Sequence, residues 1–444
     1  MLLCAPTGKA AFNIGGVTIH NAFNFGFNLD KELSENRKLS ADMKNTLRCK
    51  YQKLKLIIID EVSMVGSKML HSMNRILQDI FDNTEPFGGI SIVVFGDMNQ
   101  LQPVKDSWVF EKPNTIAGGL LGPYLWSNFV LFELDEIMRQ KDDKIFAIAL
   151  SNLAVGRTTE VENVMFRSRE LQNLQMSITE VMDKGIIAIY YLNRDVDIYN
   201  ELYLSRMMTY GTLCEAIDRC VGPGSSEYKE SVLHNFRLRH HKKTQNLLTN
   251  LSLKIDARYV VGLNIDVSDG LANGTPCVLK HVSCGVLKKD GVKVVSTVYL
   301  DFENVAIGAA QRKALRSKMV RENVDLKWTP VERVIKVIDV APGSVLKVWR
   351  SQFPIKPAQS QTIHTAQGST LQNALVSVEG IQRRLMYTAF SRVTSLENLY
   401  INGTFKPPAS ANFGKDKVLL EMERMRNECP YKVSLRFPTR SDRN

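Results

Sequence analysis

Two adjacent carboxylates, Asp60 and Glu61, follow Leu56–Ile59, LIII, a run of four apolar residues of which three are β-branched. Such a run suits a strand buried on both faces of a parallel sheet. The carboxylates then stand at the strand's carboxyl end, where open α/β sheets bind ligands. Paired carboxylates there are costly unless they meet a cation or a proton-transfer task. In a nucleotide hydrolase the first holds Mg²⁺ through its water shell, and the second orients or deprotonates the attacking water. A solvated loop behind a core strand accounts for so short a motif equally well. Ile90–Val104, ISIVVFGDMNQLQPV, repeats the plan with a β-branched run, a glycine, Asp97 at the strand end and Gln100 three residues on. A strand ending GD-x-x-Q after a strand ending DE is a paired signature, in which Asp97 and Gln100 sense a γ-phosphate from the neighbouring strand.

The chain that must position these groups has 444 residues, enough for two or three domains. It is 44% hydrophobic and 23% charged, the balance of an ordinary globular protein. Its net charge of 57 − 46 = +11 favours a polyanionic partner but is weak evidence alone. The seven cysteines form no C-x-x-C pair, which points to reduced thiols inside a cell and away from a disulfide framework. No apolar run approaches the roughly 20 residues of a membrane span, and the N-terminus lacks a signal-peptide layout.

DEVSM followed by GDMNQLQPV resembles motifs II and III of superfamily-one DNA helicases, most closely the PIF-type, RecD-like branch that moves 5′ to 3′. Four further stretches resemble that family in its order, so that six motifs cover about residues 2–402. Ala5–Ala11, APTGKAA, with Gly16, Thr18, Ile19, His20 and Phe23, resembles motif Ia. The resemblance implies that this segment touches the backbone of single-stranded DNA, with Thr7, Lys9, Thr18 and His20 offering donors to phosphates and Phe23 in the same pattern. His20 taken alone reads as a packed histidine. Leu131–Gln140 resembles motif IV and implies that Arg139 reaches the γ-phosphate; taken alone, Arg139 reads as a surface ion pair. Phe353–Leu371 resembles motif V, T-I-H-K-S-Q-G, through Thr362, Ile363, His364, Gln367 and Gly368. Thr365 and Ala366 replace the usual Lys and Ser, removing a cation from a DNA phosphate contact. Tyr387, Ala389, Ser391 and Arg392 resemble motif VI, Y-x-A-x-S-R, with Arg392 as a second arginine at the γ-phosphate.

The resemblance implies an α/β chain of two RecA-like P-loop NTPase motor domains with a small SH3-like β insertion in the second. The expected limits are 1–138, 139–270 and 353–404 for the motors, 271–352 for the insertion and 405–444 for a tail. It further implies ATP and Mg²⁺ as cofactors, with Asp60 as the metal ligand. Glu61, Asp60, Gln100, Arg139 and Arg392 are then catalytic; Asp97, Gln367 and Gly368 bind nucleotide; Thr362 and His364 join the DNA contacts. The implied partners are single-stranded DNA and DNA junctions, met by a monomer that needs no membrane. The implied setting is intracellular, the nucleus or also the mitochondrion in a eukaryote, in genome maintenance, repair, recombination or telomere upkeep.

The family's phosphate-binding loop, G-x-x-x-x-G-K-[ST], does not occur in the 444 residues, and Gly8-Lys9 lacks its flanking residues. The chain therefore reads as a family member that starts late: a fragment, a misplaced gene start or a decayed copy. A first motor lacking its leading strand is expected to carry an open sheet edge and apolar surface. The alternatives are a single-stranded-DNA-binding protein without ATPase and a transposon-borne replication helicase. Elsewhere Gly66–Phe81 has the spacing of a core-facing helix, Ala309–Arg321 reads as a basic helix among short β runs, and Asp30–Lys55 and Pro113–Pro123 read as polar and Gly-rich connections. Arg237–Lys243, RLRHHKK, reads as a solvated basic face in preference to a DNA-facing arm. Asn193–Leu204 reads as a structural turn and helix, and Lys415–Arg426 as a charged tail helix, both without a chemical role.

Overall fold

The apolar run before Asp60 forms a strand, and a parallel sheet is built around it. The computed structural model describes residues 1–25, 39–112, 125–134, 136–286, 293–341, 343–408 and 414–428. The polar stretch at 30–38, the Gly-rich loop at 113–123 and the end of the tail lie outside the described residues. Strands β1 (Leu2–Ala5), β2 (Val17–Thr18), β3 (Leu56–Ile59) and β4 (Ser91–Val94) stand in the order β2-β1-β3-β4, each pair parallel. With them run helices α1 (Gly8–Asn13), α2 (Ile19–Phe23), α3 (Ala41–Tyr51) and α4 (Ser67–Phe81). Ile57 and Ile59 of β3 are fully buried while Leu56 and Ile58 are half-buried, so one face carries more of the core than the run suggested. β4 ends the order among the described residues, with Val93 41% and Phe95 47% exposed. On α4, Met69, Met73, Ile76, Leu77 and Ile80 form one buried stripe of helical period.

Contacts divide the chain into two units, 1–191 with 362–444, and 192–361. The first unit continues with α5 (Lys144–Val155), α6 (Glu160–Arg167), α7 (Ile178–Asp183) and β5 (Ile187–Tyr190). α5 starts at Asp143, whose carboxylate accepts from the Phe146 amide at 3.0 Å, and stops at Gly156 with φ 70°.

Residues 192–361 hold α8 (Asn193–Arg206), β6 (Gly211–Glu215), β7 (Ile217–Val221), α9 (Ser226–Arg237), β8 (Asn250–Lys254), β9 (Arg258–Val261), β10 (Pro276–Val286) and β11 (Lys293–Asp301). They continue with α10 (Ala309–Ala314), α11 (Arg316–Arg321), β12 (Thr329–Glu332), β13 (Val334–Asp339), β14 (Lys347–Gln352) and β15 (Ile355–Pro357). An antiparallel sheet runs β12-β11-β10-β9-β15 and a second runs β13-β14-β7. The basic helix expected over 309–321 is broken at Leu315, whose ψ of 16° departs from the helical value. Arg350, fully buried, donates twice to the Asp218 carboxylate at 2.8 Å and once to the Leu247 carbonyl at 3.0 Å.

After β16 (Ser360–Thr362) come α12 (Ile363–Ala366), β17 (Ala374–Ser377), α13 (Arg383–Phe390), β18 (Leu399–Asn402) and α14 (Lys417–Glu428). β17 lies parallel between β5 and β18. The tail helix α14 is not a loose appendage. Its Val418 and Met425 are buried in the core of the first sheet, and the Trp126 indole N–H donates to Glu421 at 2.8 Å.

Candidate functional site

The carboxyl ends of β3 and β4 meet because the Val62 amide donates to the Phe95 carbonyl at 2.8 Å. The approach needs Gly96: a Cβ there would lie 2.8 Å from the Val62 nitrogen. Asp60 Oδ1 accepts from the Glu61 amide at 2.9 Å. Glu61 itself has φ 54°, ψ 48°, a left-handed conformation that is strained for a residue with a Cβ. The turn directs its carboxylate toward residues 367–368. Gln367, buried, donates from Nε2 to Glu61 Oε2 at 3.0 Å and to Ser63 Oγ at 3.3 Å. Gly368, with φ +72°, leaves just enough room, since a Cβ would come 3.2 Å from Glu61 Oε1. Burial holds the Glu61 carboxyl above its ordinary pKa and nearby Asp60 adds to this; the Gln367 amide, Arg392 and Arg139 pull the other way.

Arg392 is 1% exposed and its guanidinium donates to the Thr388 carbonyl at 2.7 Å and to Ser391 Oγ at 2.8 Å. It forms no ion pair with a carboxylate among the described residues. Burial, with Arg139 beside it, lowers its pKa from 12.5 to about 10. Arg139 donates to Thr370 Oγ1 at 3.0 Å and to the Ser391 carbonyl at 3.1 Å, and burial lowers its pKa as well. It is not the surface ion pair that its sequence alone suggested. Gln140 anchors the same turn by donating to the Val393 carbonyl at 2.6 Å. Asp97 accepts from the Tyr387 hydroxyl at 2.6 Å, from the Asn99 amide at 2.9 Å and from Gln100 Nε2 at 3.5 Å. Gln100 Oε1 and Gln367 Oε1 are buried without a hydrogen-bond partner. A buried and a half-buried cation, a strained carboxylate and orphaned amide oxygens suit a polar, anionic guest.

The expected DNA residues divide. Thr7, Thr18 and Thr362 are helix N-caps, accepting from the amides of Ala10, Asn21 and Thr365 at 3.2, 3.2 and 3.3 Å. The Thr362 hydroxyl also meets the Thr365 hydroxyl at 2.9 Å. His364 is exposed, and half-buried His20 sits edge-on to Phe25 at 5.9 Å. Phe23, expected at the DNA surface, is fully buried in the core of the first sheet, where it packs α2 and meets no solvent. Lys9 is half-buried; its pKa is lowered by burial and by the charge of Arg392, which puts it on the arginine side of the site. Sequence reasoning gave no role to Tyr387, Gln140 or Ser63. All three stand inside the quoted motifs, so the signal was present without its partner.

A family model of PIF1-like helicases matches residues 1–155. The chain is 25% identical to the ATP-dependent DNA helicase PIF1 of Candida albicans over 93% of its own length and 49% of that protein's. It is 28% identical to PIF1 of Danio rerio, over 96% of this chain and 57% of that one. The chain thus resembles PIF1-like helicases. It spans about half to three-fifths of the length of these PIF1 relatives. The crystal structure of the Candida albicans Pif1 helicase superposes with a TM-score of 0.68 at 24% identity, covering 96% of this chain and 88% of that one. A Bacteroides Pif1 helicase solved with ADP-AlF3 and single-stranded DNA superposes with a TM-score of 0.63 at 21% identity, covering 96% and 87%. The fold is thus the α/β fold of Pif1 helicases, which have two RecA-like domains.

Proposed function

We propose that the chain carries the hydrolytic and DNA-gripping parts of an ATP-dependent DNA helicase motor that acts on single-stranded DNA and its junctions. The observation that supports it best is the pair of buried Arg392 and half-buried Arg139, without a carboxylate ion pair among the described residues and beside Glu61. Such cations suit a transferring γ-phosphoryl group, whose charge grows in the transition state. Glu61, lifted in pKa, is the base for the attacking water; Gln367 orients it. Asp97 and Gln100 sense the phosphate. Mg²⁺ fits in part: Asp60 supplies one carboxylate, and the other ligands of an octahedral ion fall to water and phosphates. When bound, the ion neutralises phosphate charge. Thr7, Thr18, Thr362, His20 and His364 face the strand; Phe23 holds α2 behind them. The motors fall at 1–138 and at 139–270 with 353–404, around a β-rich 271–352, in a monomer working inside the cell, in the nucleus of a eukaryote. The absence of a G-x-x-x-x-G-K-[ST] loop from the 444 residues favours a second reading, single-strand binding without turnover by this chain alone.

Fluorescence anisotropy of labelled oligonucleotides at several salt concentrations tests the DNA half. A phosphate-dominated groove gives single-strand affinity that falls steeply with salt and depends little on sequence. A flat slope, or equal affinity for duplex, overturns it. Steady-state ATPase separates the two readings.

A further inference from the structure

Two stretches left without a role by the helicase reading come together in residues 192–361. Asp197 lies on α8, and His240 and His241 lie in the basic stretch after α9. One donor atom from each of the three, two imidazole nitrogens and one carboxylate oxygen, lies within 4.8 Å of the others. His240 Nε2 is 3.2 Å from Asp197 Oδ2, and the two imidazole rings are 4.1 Å apart. Zinc binds His nitrogen and carboxylate oxygen at about 2.1 Å, so two ligands of one tetrahedral ion stand about 3.4 Å apart. The His240–Asp197 distance already matches that edge.

We propose that Asp197, His240 and His241 form a divalent-metal site of zinc type, with the fourth position left to water. An imidazole–imidazole–carboxylate set suits zinc, nickel or copper over calcium or magnesium. Two neighbouring arginines are turned elsewhere. Arg237 lies 3.7 Å from Asp218. Arg239 donates to the Val340 carbonyl at 2.7 Å and stacks its guanidinium on Phe236 at 5.2 Å. Asp197 supplies the negative charge that the site needs, and a metal replaces the His240–Asp197 contact with bonds that include His241. The backbone is ready for this: the Lys243 and Asn246 amides donate to the His240 and His241 carbonyls, both at 2.8 Å, closing a turn that presents the two rings side by side. The ion staples α8 to that turn and so fixes the RLRHHKK segment against it. The site does not depend on the nucleotide reading.

The test is isothermal titration of the full chain, stripped with chelator, with Zn²⁺, and visible absorption with Co²⁺ in its place. The expected result is one Zn²⁺ per chain, and Co²⁺ bands without the charge-transfer absorption of a thiolate ligand. His240→Ala, His241→Ala and Asp197→Asn each weaken binding by about tenfold or more. His240 and Asp197 side chains are 47% and 40% exposed, so their removal leaves the core intact, and circular dichroism checks the fold. Asp197→Asn keeps the shape and serves alone if a histidine variant misfolds. No saturable binding, a thiolate band, or unchanged affinity in Asp197→Asn overturns the site.

Discussion

Two arginines are fully buried among the described residues, and their substitution by methionine should move stability in opposite directions. Methionine keeps the apolar stem and removes the charge and its donors. Arg350 is matched: the Asp218 carboxylate, itself buried, takes two of its N–H groups at 2.8 Å. Arg350→Met leaves that carboxylate buried and uncompensated, apart from Arg237 at 3.7 Å, and should cost about 3–5 kcal/mol. Arg392 is 1% exposed and has no ion pair among the described residues; its pKa is lowered to about 10 from 12.5. At about 1.4 kcal/mol per tenfold, holding that charge in the fold costs about 3 kcal/mol. For a base with a lowered folded pKa, the cost is fully present below both values, hence at neutral pH, and fades as pH rises from about 10 toward 12.5. The hydrogen bonds lost with Arg392 return about 1–2 kcal/mol. They leave no orphan, because Ser391 Oγ still donates to the Thr388 carbonyl at 3.1 Å.

Arg392→Met should therefore raise stability by about 1–2 kcal/mol. Urea unfolding of the three proteins at pH 7 reads both numbers, provided the slopes agree. Inorganic pyrophosphate should raise the melting temperature of the parent chain and not that of Arg392→Met. A loss of stability in Arg392→Met would refute the reasoning: the guanidinium would then be a structural group, and the anion site would lose its main support.

Glu61→Gln should stabilise the chain at pH 8. The carboxyl's folded pKa is raised by burial, so its favourable contribution is present at acid pH and lost as pH rises through that value. Urea melts of parent and variant at pH 4 and pH 8 check this; an equal difference at both contradicts it. Met425→Ala should cost about 2–4 kcal/mol in the same melts, since α14 sets this side chain in the core of the first sheet; a neutral result means the tail helix is not docked. The 444-residue chain with saturating single-stranded DNA should hydrolyse ATP negligibly, for want of a backbone cradle and its lysine. Robust turnover that Glu61→Gln abolishes would show that the phosphates are held some other way.

What was legible in the sequence was local. Asp60, Glu61, Asp97 and Gln100 follow strand-type runs within a few residues, and a strand end fixes where its next residues point. The α4 stripe was legible for the same reason. What was not legible depends on partners far along the chain. Nothing near Trp126 announces Glu421, 295 residues away, so a charged tail helix read as uninformative. Phe23 shows the limit of pattern matching: an aromatic in a DNA-contacting motif can serve by packing the helix from behind, and its 0% exposure decides for that. The left-handed turn at Glu61 had no sequence signal at all, because strain is imposed by the neighbours that overdetermine it.

Those neighbours also explain how the strand ends of the first sheet are tied to the helices after β16. Three side chains make the link: Gln367 to Glu61 and Ser63, Tyr387 to Asp97, and Arg384, which donates to the Met98 carbonyl at 2.9 Å. Each ends on a residue of the DE or GD-x-x-Q strand ends or beside one. Gln367 is the least committed, since its Oε1 has no partner and Nε2 is shared between two acceptors. Tyr387 is the most committed, half-buried against the carboxylate that accepts from it. A group that recruits Glu61 must therefore first take Gln367 from it, whereas one that reaches Gln100 finds Asp97 already fixed. That asymmetry leaves the Glu61 carboxylate held by one shared amide and the Asp97 carboxylate held by three donors.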